Sequence, residues 1–335
     1  IFNRNSNQMS SSLYPLKFAP ILKDKIWGGD KLKTILYKDF SPLPNAGESW
    51  EISGVDGDIS VVTNGFLKGN TLNEVLEVYM YDLVGDKVFD KFGNEFPLLI
   101  KFIDANDVLS IQVHPDDKLA EERHGSNGKT EMWYVIQADE GASLISGFSK
   151  SVTKEEYLKY LNENRLEDIL MSHEVKPGDV FYIPAGRVHA IGKGIVLAEI
   201  QQTSDVTYRI YDFDRKDDFG KTRELHTEQA LNAIEYKYYD NLRTEYKHEL
   251  NKTANVVSCD YFKTNLLEFD QIIEKDYYQF DSFLIYMCID GGFEICYGEG
   301  ECLKVTKGET VLVPAELRTI RLKPSVKAKV LEVHL

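Results

Sequence analysis

The chain runs to 335 residues, 43% apolar and 28% charged, with 54 acidic against 39 basic side chains and a formal net charge of −15. That length allows about two ordinary domains with proper cores. The acidic balance excludes nucleic acid and an anionic membrane surface as partners, because no basic footprint dominates the chain. A small anionic ligand stays compatible, provided that Lys and Arg gather at one site.

The first sixteen residues are polar and rich in Asn and Ser, without the apolar stretch of a secretory signal. A disordered or extended segment is expected over 1–13, with Met9 the expected natural start. A helix is expected over Leu72–Val84. Short β-branched and aromatic runs bounded by Gly, Asp or Asn then read as strands: Leu98–Ile103, Val108–His114, Met132–Gln137, Val180–Pro184, Gly194–Gln201 and Val206–Asp212. Between them Thr153-Lys-Glu-Glu156 has capping-box spacing and opens a helix expected to run to Met171. No run reaches the roughly 18–20 apolar residues needed to span a bilayer. Cys259, Cys288, Cys296 and Cys302 form no C-x-x-C pair, which predicts reduced buried thiols in a cytoplasmic protein.

A repeat sets the domain plan. Gly178-Asp-Val-Phe-Tyr-Ile-Pro184-Ala185 recurs as Gly308-Glu-Thr-Val-Leu-Val-Pro314-Ala315. In both copies a Gly and an acidic residue begin a strand that Pro closes, which predicts two duplicated β-barrel units with a boundary near the polar stretch 240–255. The first copy continues to Gly186 and His189, where the second has Glu316 and Thr319.

In Val108–His114 the period of two puts Leu109, Ile111 and Val113 on one face and Ser110, Gln112 and His114 on the other. Gln112 and His114 are then neighbouring ligand-capable groups. Glu131 enters the strand Met132–Gln137, and His189 follows a Gly-containing turn. Each is ambiguous alone. Together they form an N/O set of two imidazoles, a carboxylate and a carboxamide, suited to Zn²⁺ and equally to other first-row divalent ions. A set without thiolates, with room for substrate oxygens, reads as catalytic rather than structural.

Gly178-x5-Pro184-x-Gly186-x2-His189 resembles the second motif of the cupin barrels, with Lys193 where that motif closes on Asn. Gln112-x-His114 stands where the first motif usually has His-x-His. Leu109-Ser-Ile-Gln-Val-His-Pro-Asp116, Gly128-Lys-Thr-Glu-Met-Trp133 and the run Ala198–Arg215 resemble the type I mannose-6-phosphate isomerases in their short bacterial form. Trp27-Gly-Gly29 and Gly47–Ser53 fit the same family. The resemblance covers about residues 14–235, and the last hundred residues match only as a degenerate second cupin.

That resemblance implies a mainly β chain of two cupin-like jelly-roll barrels. It implies a catalytic unit over 14–245, with a helical insertion near 151–175, and a unit without metal over 246–335. It implies one Zn²⁺ per chain on Gln112, His114, Glu131 and His189. The reaction would interconvert mannose 6-phosphate and fructose 6-phosphate through a cis-enediol. Arg209 falls on the family's active-site arginine and Lys129 on its lysine, the latter either as general base or as phosphate holder. Ser110 and Glu48 are expected to contact substrate, with Trp50 and Glu51 beside it, and Lys101 and Arg187 to supply cations for phosphate. The expected partner is a small sugar phosphate, with the chain a monomer or a homodimer. A different cupin enzyme, whether another sugar-phosphate isomerase or an iron dioxygenase, and a non-enzymatic sugar-binding cupin are the competing readings. His226 is expected to order a turn.

Overall fold

The computed structural model describes residues 12–217 and 219–335, so positions 1–11 of the expected extended segment lie outside the described residues. The architecture is mainly β, as expected. A six-stranded sheet runs in the order Ile21–Lys23, Glu48–Ile52, Leu98–Ala105, Ile195–Gln202, Glu131–Ala138, Val180–Ile183. A five-stranded sheet, ordered Tyr208–Tyr211, Ile111–Val113, His189–Ala190, Ser143–Phe148, Leu170–Glu174, completes the first unit. Trp27, Ile103, Trp133, Leu144, Phe181 and Leu197 fill the space between them.

The second unit is one eight-stranded sheet folded on itself. Its long strands Leu284–Tyr297 and Thr319–His334 carry bulges near Asp290 and Gly292, which let them bend around Phe269, Tyr286, Phe293 and Leu322. Leu16–Lys17 pairs with this sheet, opposite Leu312 and Val311, so the chain enters the second unit before it builds the first. The helical segment 72–92 packs against the second unit too. Its carbonyls at Asp82, Leu83 and Val84 accept from the amides of Glu316, Ala315 and Phe283. A shared core with Leu76, Phe96, Met132, Phe262, Phe283 and Leu331 welds the two units. Among the described residues no helix is long and apolar enough to cross a membrane.

The repeat is reproduced bond for bond. Gly178 and Gly308 both take positive φ, 93° and 84°. The Gly178 amide donates to Val135 O and the Val135 amide to Asp179 O; the Gly308 amide donates to Cys288 O and the Cys288 amide to Glu309 O. The acidic residue closes each turn, Asp179 accepting from the Lys176 amide and Glu309 from the Thr306 amide.

Three expectations are corrected. The helix starting after Thr153 has its capping box but stops at Asn162. Asn164 turns left-handed at φ 54°, a 3₁₀ turn covers Leu166–Ile169, and Leu170–Glu174 becomes a strand. The polar run Asn162–Arg165 offers no apolar side chain to continue the buried face, and Asn tolerates the left-handed turn. The strand expected over Val108–His114 contracts to Ile111–Val113. Cys296 and Cys302 are disulfide-bonded, because a Gly-containing hairpin puts them directly opposite one another. Cys259 and Cys288 are free thiols. The helix Leu72–Val84 forms as expected, with a kink at Met80.

The two repeat glycines differ in their surroundings. A Cβ on Gly308 would stand 2.0 Å from Leu36 O, whereas on Gly178 the first neighbour is 3.5 Å away. Gly178→Ala is expected to cost about 1 kcal/mol through backbone strain alone, and Gly308→Ala about 2–4 kcal/mol because strain and a backbone clash add. Urea unfolding of the two variants beside the parent checks the order.

Candidate active site

Three strands converge on one end of the first barrel. His189 lies opposite Gln112 across an antiparallel pair, His114 leaves the end of the Gln112 strand, and Glu131 opens a strand of the other sheet. The ligand atoms of His114, Glu131 and His189 all lie within 4.8 Å of one another. His114 Nε2 is 3.5 Å from Glu131 Oε2, and His189 Nε2 is 3.4 Å from Glu131 Oε1. All three residues are 1% exposed.

The backbone sets the orientation of both imidazoles. His114 Nδ1 is 3.1 Å from Val206 O, and His189 Nδ1 is 2.8 Å from Arg187 O. A carbonyl can only accept, so each ring carries its proton on Nδ1 and aims the Nε2 lone pair at Glu131. Burial pushes both imidazoles below their ordinary pKa, and Lys129 adds to this at each. They are therefore neutral, as ligands must be. His114 Nε2 and both Glu131 oxygens are buried without a hydrogen-bond partner. A carboxylate facing two lone pairs in a dry site is strongly disfavoured unless a cation fills the gap. The donor set therefore fits a divalent metal ion. Gln112 borders it, its amide 3.2 Å from His189 Nε2, and a half-turn of that amide presents Oε1 instead.

Beside this cluster lies a cavity of about 300 Å³. Lys25, Lys101, Lys129, Arg209 and Arg223 line it together with Glu48, Glu199 and Asp205, and Ser110 and Gln112 form part of its wall. Lys101 is tied to Glu199 at 3.0 Å and faces Glu48 at 3.9 Å. Trp133 Nε1 donates to the other Glu199 oxygen at 2.9 Å, and Trp50 Nε1 donates to Glu48 at 2.6 Å. Burial alone would raise Glu48, but Lys101 and then Lys25 outweigh it and hold the carboxyl at about 2. Lys101 is likewise held charged against its burial by Glu199 and Glu48. Lys129 Nζ stands 3.6 Å from Glu131 Oε2.

Arg209 is held from behind. Its amide donates to His226 Nδ1, the His226 amide donates to Arg209 O, and its Nη1 donates to Glu224 O at 2.8 Å. Its Nε is buried without a partner. Asp212 clamps Arg215 and Arg223 behind it.

Most expected site residues therefore meet: Gln112, His114, Glu131, His189, Lys129, Arg209, Ser110, Lys101 and Glu48. Arg187 does not. Its carbonyl orients His189, while its side chain leaves toward Tyr182 O and the Tyr239 ring. Glu51 points away as well, taken by Lys38 and Ser49. Leu109, expected beside Ile111 and Val113, instead lines the cavity next to Ser110, because the strand has not begun there. Sequence reasoning missed Glu199, Lys25, Trp27 and Arg223. Glu199 and Arg223 sit beside motif residues already singled out, but nothing in their spacing separates an inward carboxylate or guanidinium from an outward one.

The double glycine also has a geometric role. A Cβ on Gly29 would meet Asp104 Oδ2 at 2.7 Å, and one on Gly28 would meet the Gly47 amide at 2.5 Å. That closeness seats Trp27 and Lys25 in the cavity wall, with the Lys31 amide donating to Asp104 Oδ2 at 2.7 Å. The Asp104 Oδ1 atom is buried without a partner.

The second barrel keeps the scaffold of this site without its ligands. Glu199 lies opposite Trp133 and Lys101; Glu332 lies opposite Tyr286 and Asn265. Tyr286 donates to Glu332 at 2.6 Å and Asn265 at 3.2 Å, repeating the bonds to Glu199. By the same registers Leu284 stands for Glu131, and Thr319 and Asp276 for His189 and Gln112.

Residues 15–145 match the family "phosphomannose isomerase type I, catalytic domain", and residues 251–334 match "mannose-6-phosphate isomerase, cupin domain". The chain is similar to mannose-6-phosphate isomerase ManA of Bacillus subtilis, 38% identical over 315 residues that cover 92% of this chain and 96% of that protein. It is also similar to mannose-6-phosphate isomerase of Streptococcus mutans, 46% identical over 224 residues that cover 66% and 67%. The crystal structure of the mannose 6-phosphate isomerase from Bacillus subtilis superposes with a TM-score of 0.87 at 34% identity, covering 96% of this chain and 99% of that one.

Asp104 generates a pH prediction. Burial, opposed only in part by the Lys31 amide and charge, raises its pKa to about 6, with Asp30 and Asp139 adding to the rise. A raised acid binds its proton more tightly folded than unfolded, so its contribution favours folding at low pH and is lost as pH rises from about 4 through 6. Asp104→Asn keeps an acceptor for the Lys31 amide and removes the charge. Relative to the parent, it is expected to gain about 2–3 kcal/mol between pH 4 and pH 7, measured by urea unfolding at both values.

Proposed function

The chain belongs to the type I mannose-6-phosphate isomerase family, and from that premise we propose that it interconverts mannose 6-phosphate and fructose 6-phosphate by moving a proton between C1 and C2 through a cis-enediol. We assign one Zn²⁺ per chain to Gln112, His114, Glu131 and His189, with catalysis in residues 14–245 and a metal-free cupin in 246–335. The observation that carries this reading is the pair of orphaned Glu131 oxygens facing two imidazole lone pairs, beside a cavity lined by cations. A divalent ion held there supplies Lewis acidity toward the sugar's O1 and O2.

The protein's own groups account for the rest. The phosphate dianion meets a chain of net charge −15, so the attraction has to be local. Lys101 is already spent on Glu199 and Glu48, Lys25 on Glu48 and Arg223 on Asp212, which leaves Lys129 and Arg209 as the main cations for substrate charge. Arg209 keeps its charge in any accessible pH range and, anchored through Glu224 and His226, steadies negative charge developing on the enediol. Lys129 Nζ carries either the migrating proton or the phosphate. Ser110 Oγ, 3.4 Å from Gln112 Oε1, is a hydroxyl available to the sugar. Trp27 and the buried strand walls keep bulk water from the reacting carbons.

A coupled assay on mannose 6-phosphate tests the reading. Turnover is expected to vanish on chelation and return with Zn²⁺. His114→Ala and Arg209→Ala are each expected to lower kcat/KM by about 10²-fold or more. Undiminished turnover in chelated protein would overturn the metal assignment. For Lys129→Arg, a fall in kcat with KM kept assigns the proton to Lys129, and a near-normal kcat assigns it the phosphate.

A further inference from the structure

The second barrel has Leu284 and Thr319 where the first has Glu131 and His189, yet one of its side chains reaches the loop that feeds the site. Tyr261 sits in the turn between the strands Thr253–Ser258 and Lys263–Phe269. That turn is pinned by the Cys259 amide donating to Phe262 O, with Phe262 1% exposed in the core shared by both units. From there the Tyr261 hydroxyl crosses the seam and donates to Asp117 Oδ2 at 2.7 Å.

Asp117 belongs to the first unit, in the opening turn of the helix Asp117–His124. Its other oxygen accepts from the Gly128 amide and from Gln202 Nε2, both at 2.9 Å. Gln202 in turn accepts from the Thr130 amide at 2.8 Å and donates its own amide to Thr130 O at 3.2 Å. Gly128 has no room to be anything else, since a Cβ would stand 2.4 Å from the Asp117 amide nitrogen. Lys129 and Glu131 project from this fastened stretch, 5% and 1% exposed. Burial would raise Asp117, but Tyr261, Gln202 and the Gly128 amide hold it below the usual carboxylate range. The carboxylate therefore stays ionised and its three hydrogen bonds are charge-assisted.

We propose that Tyr261 of the second barrel is a positioning residue for the first barrel's site: its hydroxyl fixes Asp117, and Asp117 fixes the loop Gly128–Glu131. The metal-free unit thereby takes part in catalysis through one hydroxyl at the seam. The inference rests on the isomerase reading for its catalytic consequence, but not for its structural one.

Tyr261→Phe removes only that hydroxyl. In the metal-free protein, the Gly128 and Thr130 amides are expected to exchange hydrogen about threefold to tenfold faster, with the midpoint of global unfolding little changed. The zinc-loaded protein is expected to release Zn²⁺ faster to a chromophoric chelator. Its kcat on mannose 6-phosphate is expected to fall about threefold to tenfold, with a smaller change in KM. Combined with Asp117→Asn, the tyrosine substitution should add little further effect, because both act through one carboxylate. Unchanged amide exchange and zinc release in Tyr261→Phe, or additive effects in the double variant, would overturn the proposal. If the parent chain lacks isomerase activity while exchange and zinc release respond as expected, the function reading fails and this inference stands.

Discussion

A carboxylate buried inside a β-barrel has to be compensated, and the first unit is organised around that requirement. Glu131, at 1% exposure, faces two imidazoles whose protons are committed to backbone carbonyls, so neither ring can donate to it. Lys129, 3.6 Å from one Glu131 oxygen, offsets only part of that charge and makes no hydrogen bond to it, and burying a carboxylate without hydrogen bonds costs more than a single neutral hydrogen bond supplies. The cluster is therefore built to be completed by a cation. Glu48 and Glu199 meet the same requirement internally, sharing Lys101 and taking the indole N–H groups of Trp50 and Trp133. Those two tryptophans are core residues whose polar edges serve the site, which couples barrel packing to cavity electrostatics.

The duplicated barrel shows which parts of this arrangement belong to the scaffold. Glu332 with Tyr286 and Asn265 repeats Glu199 with Trp133 and Lys101, and Lys275 at 2.8 Å from Glu332 restores the cation in a different place. A carboxylate bridging three adjacent strands is thus a feature of both barrels. The His/Glu cluster is not repeated, because Leu284 and Thr319 stand where the first barrel has Glu131 and His189. In the second barrel apolar side chains occupy the corresponding interior. Interaction between the units then runs through their common core and through single contacts at the seam.

Much of this was legible in the sequence. The repeat beginning at Gly178 and Gly308 announced two barrels, because a turn needing positive φ followed by an acidic cap is a local property. The capping box at Thr153 marked a helix start for the same reason. The helix end is not legible there because apolar spacing continues through Leu166 and Leu170, and only pairing with the strand Ser143–Phe148 turns Leu170 and the residues after it into a strand. The free-thiol reading of Cys296 and Cys302 failed because cross-strand register, not spacing, brings them together. Arg187, an expected phosphate cation, lies in the turn next to His189, and that turn delivers its carbonyl inward and its guanidinium outward.

The residue types and their order, by themselves, pointed to a mainly β duplicated chain, with candidate N/O ligands free of thiolates in the first copy and no match for Glu131 or His189 in the second. These follow from local backbone chemistry and from which side chains can bind a metal at all. Only the tertiary structure decided that His114, Glu131 and His189 share a point with Gln112 beside it, that Lys101 is spent on Glu199 and Glu48, and that Tyr261 meets Asp117. Each depends on strand register and on packing between distant segments. Burial is likewise a property of the folded whole, and it is burial that turns ordinary Glu, His and Lys residues into a site.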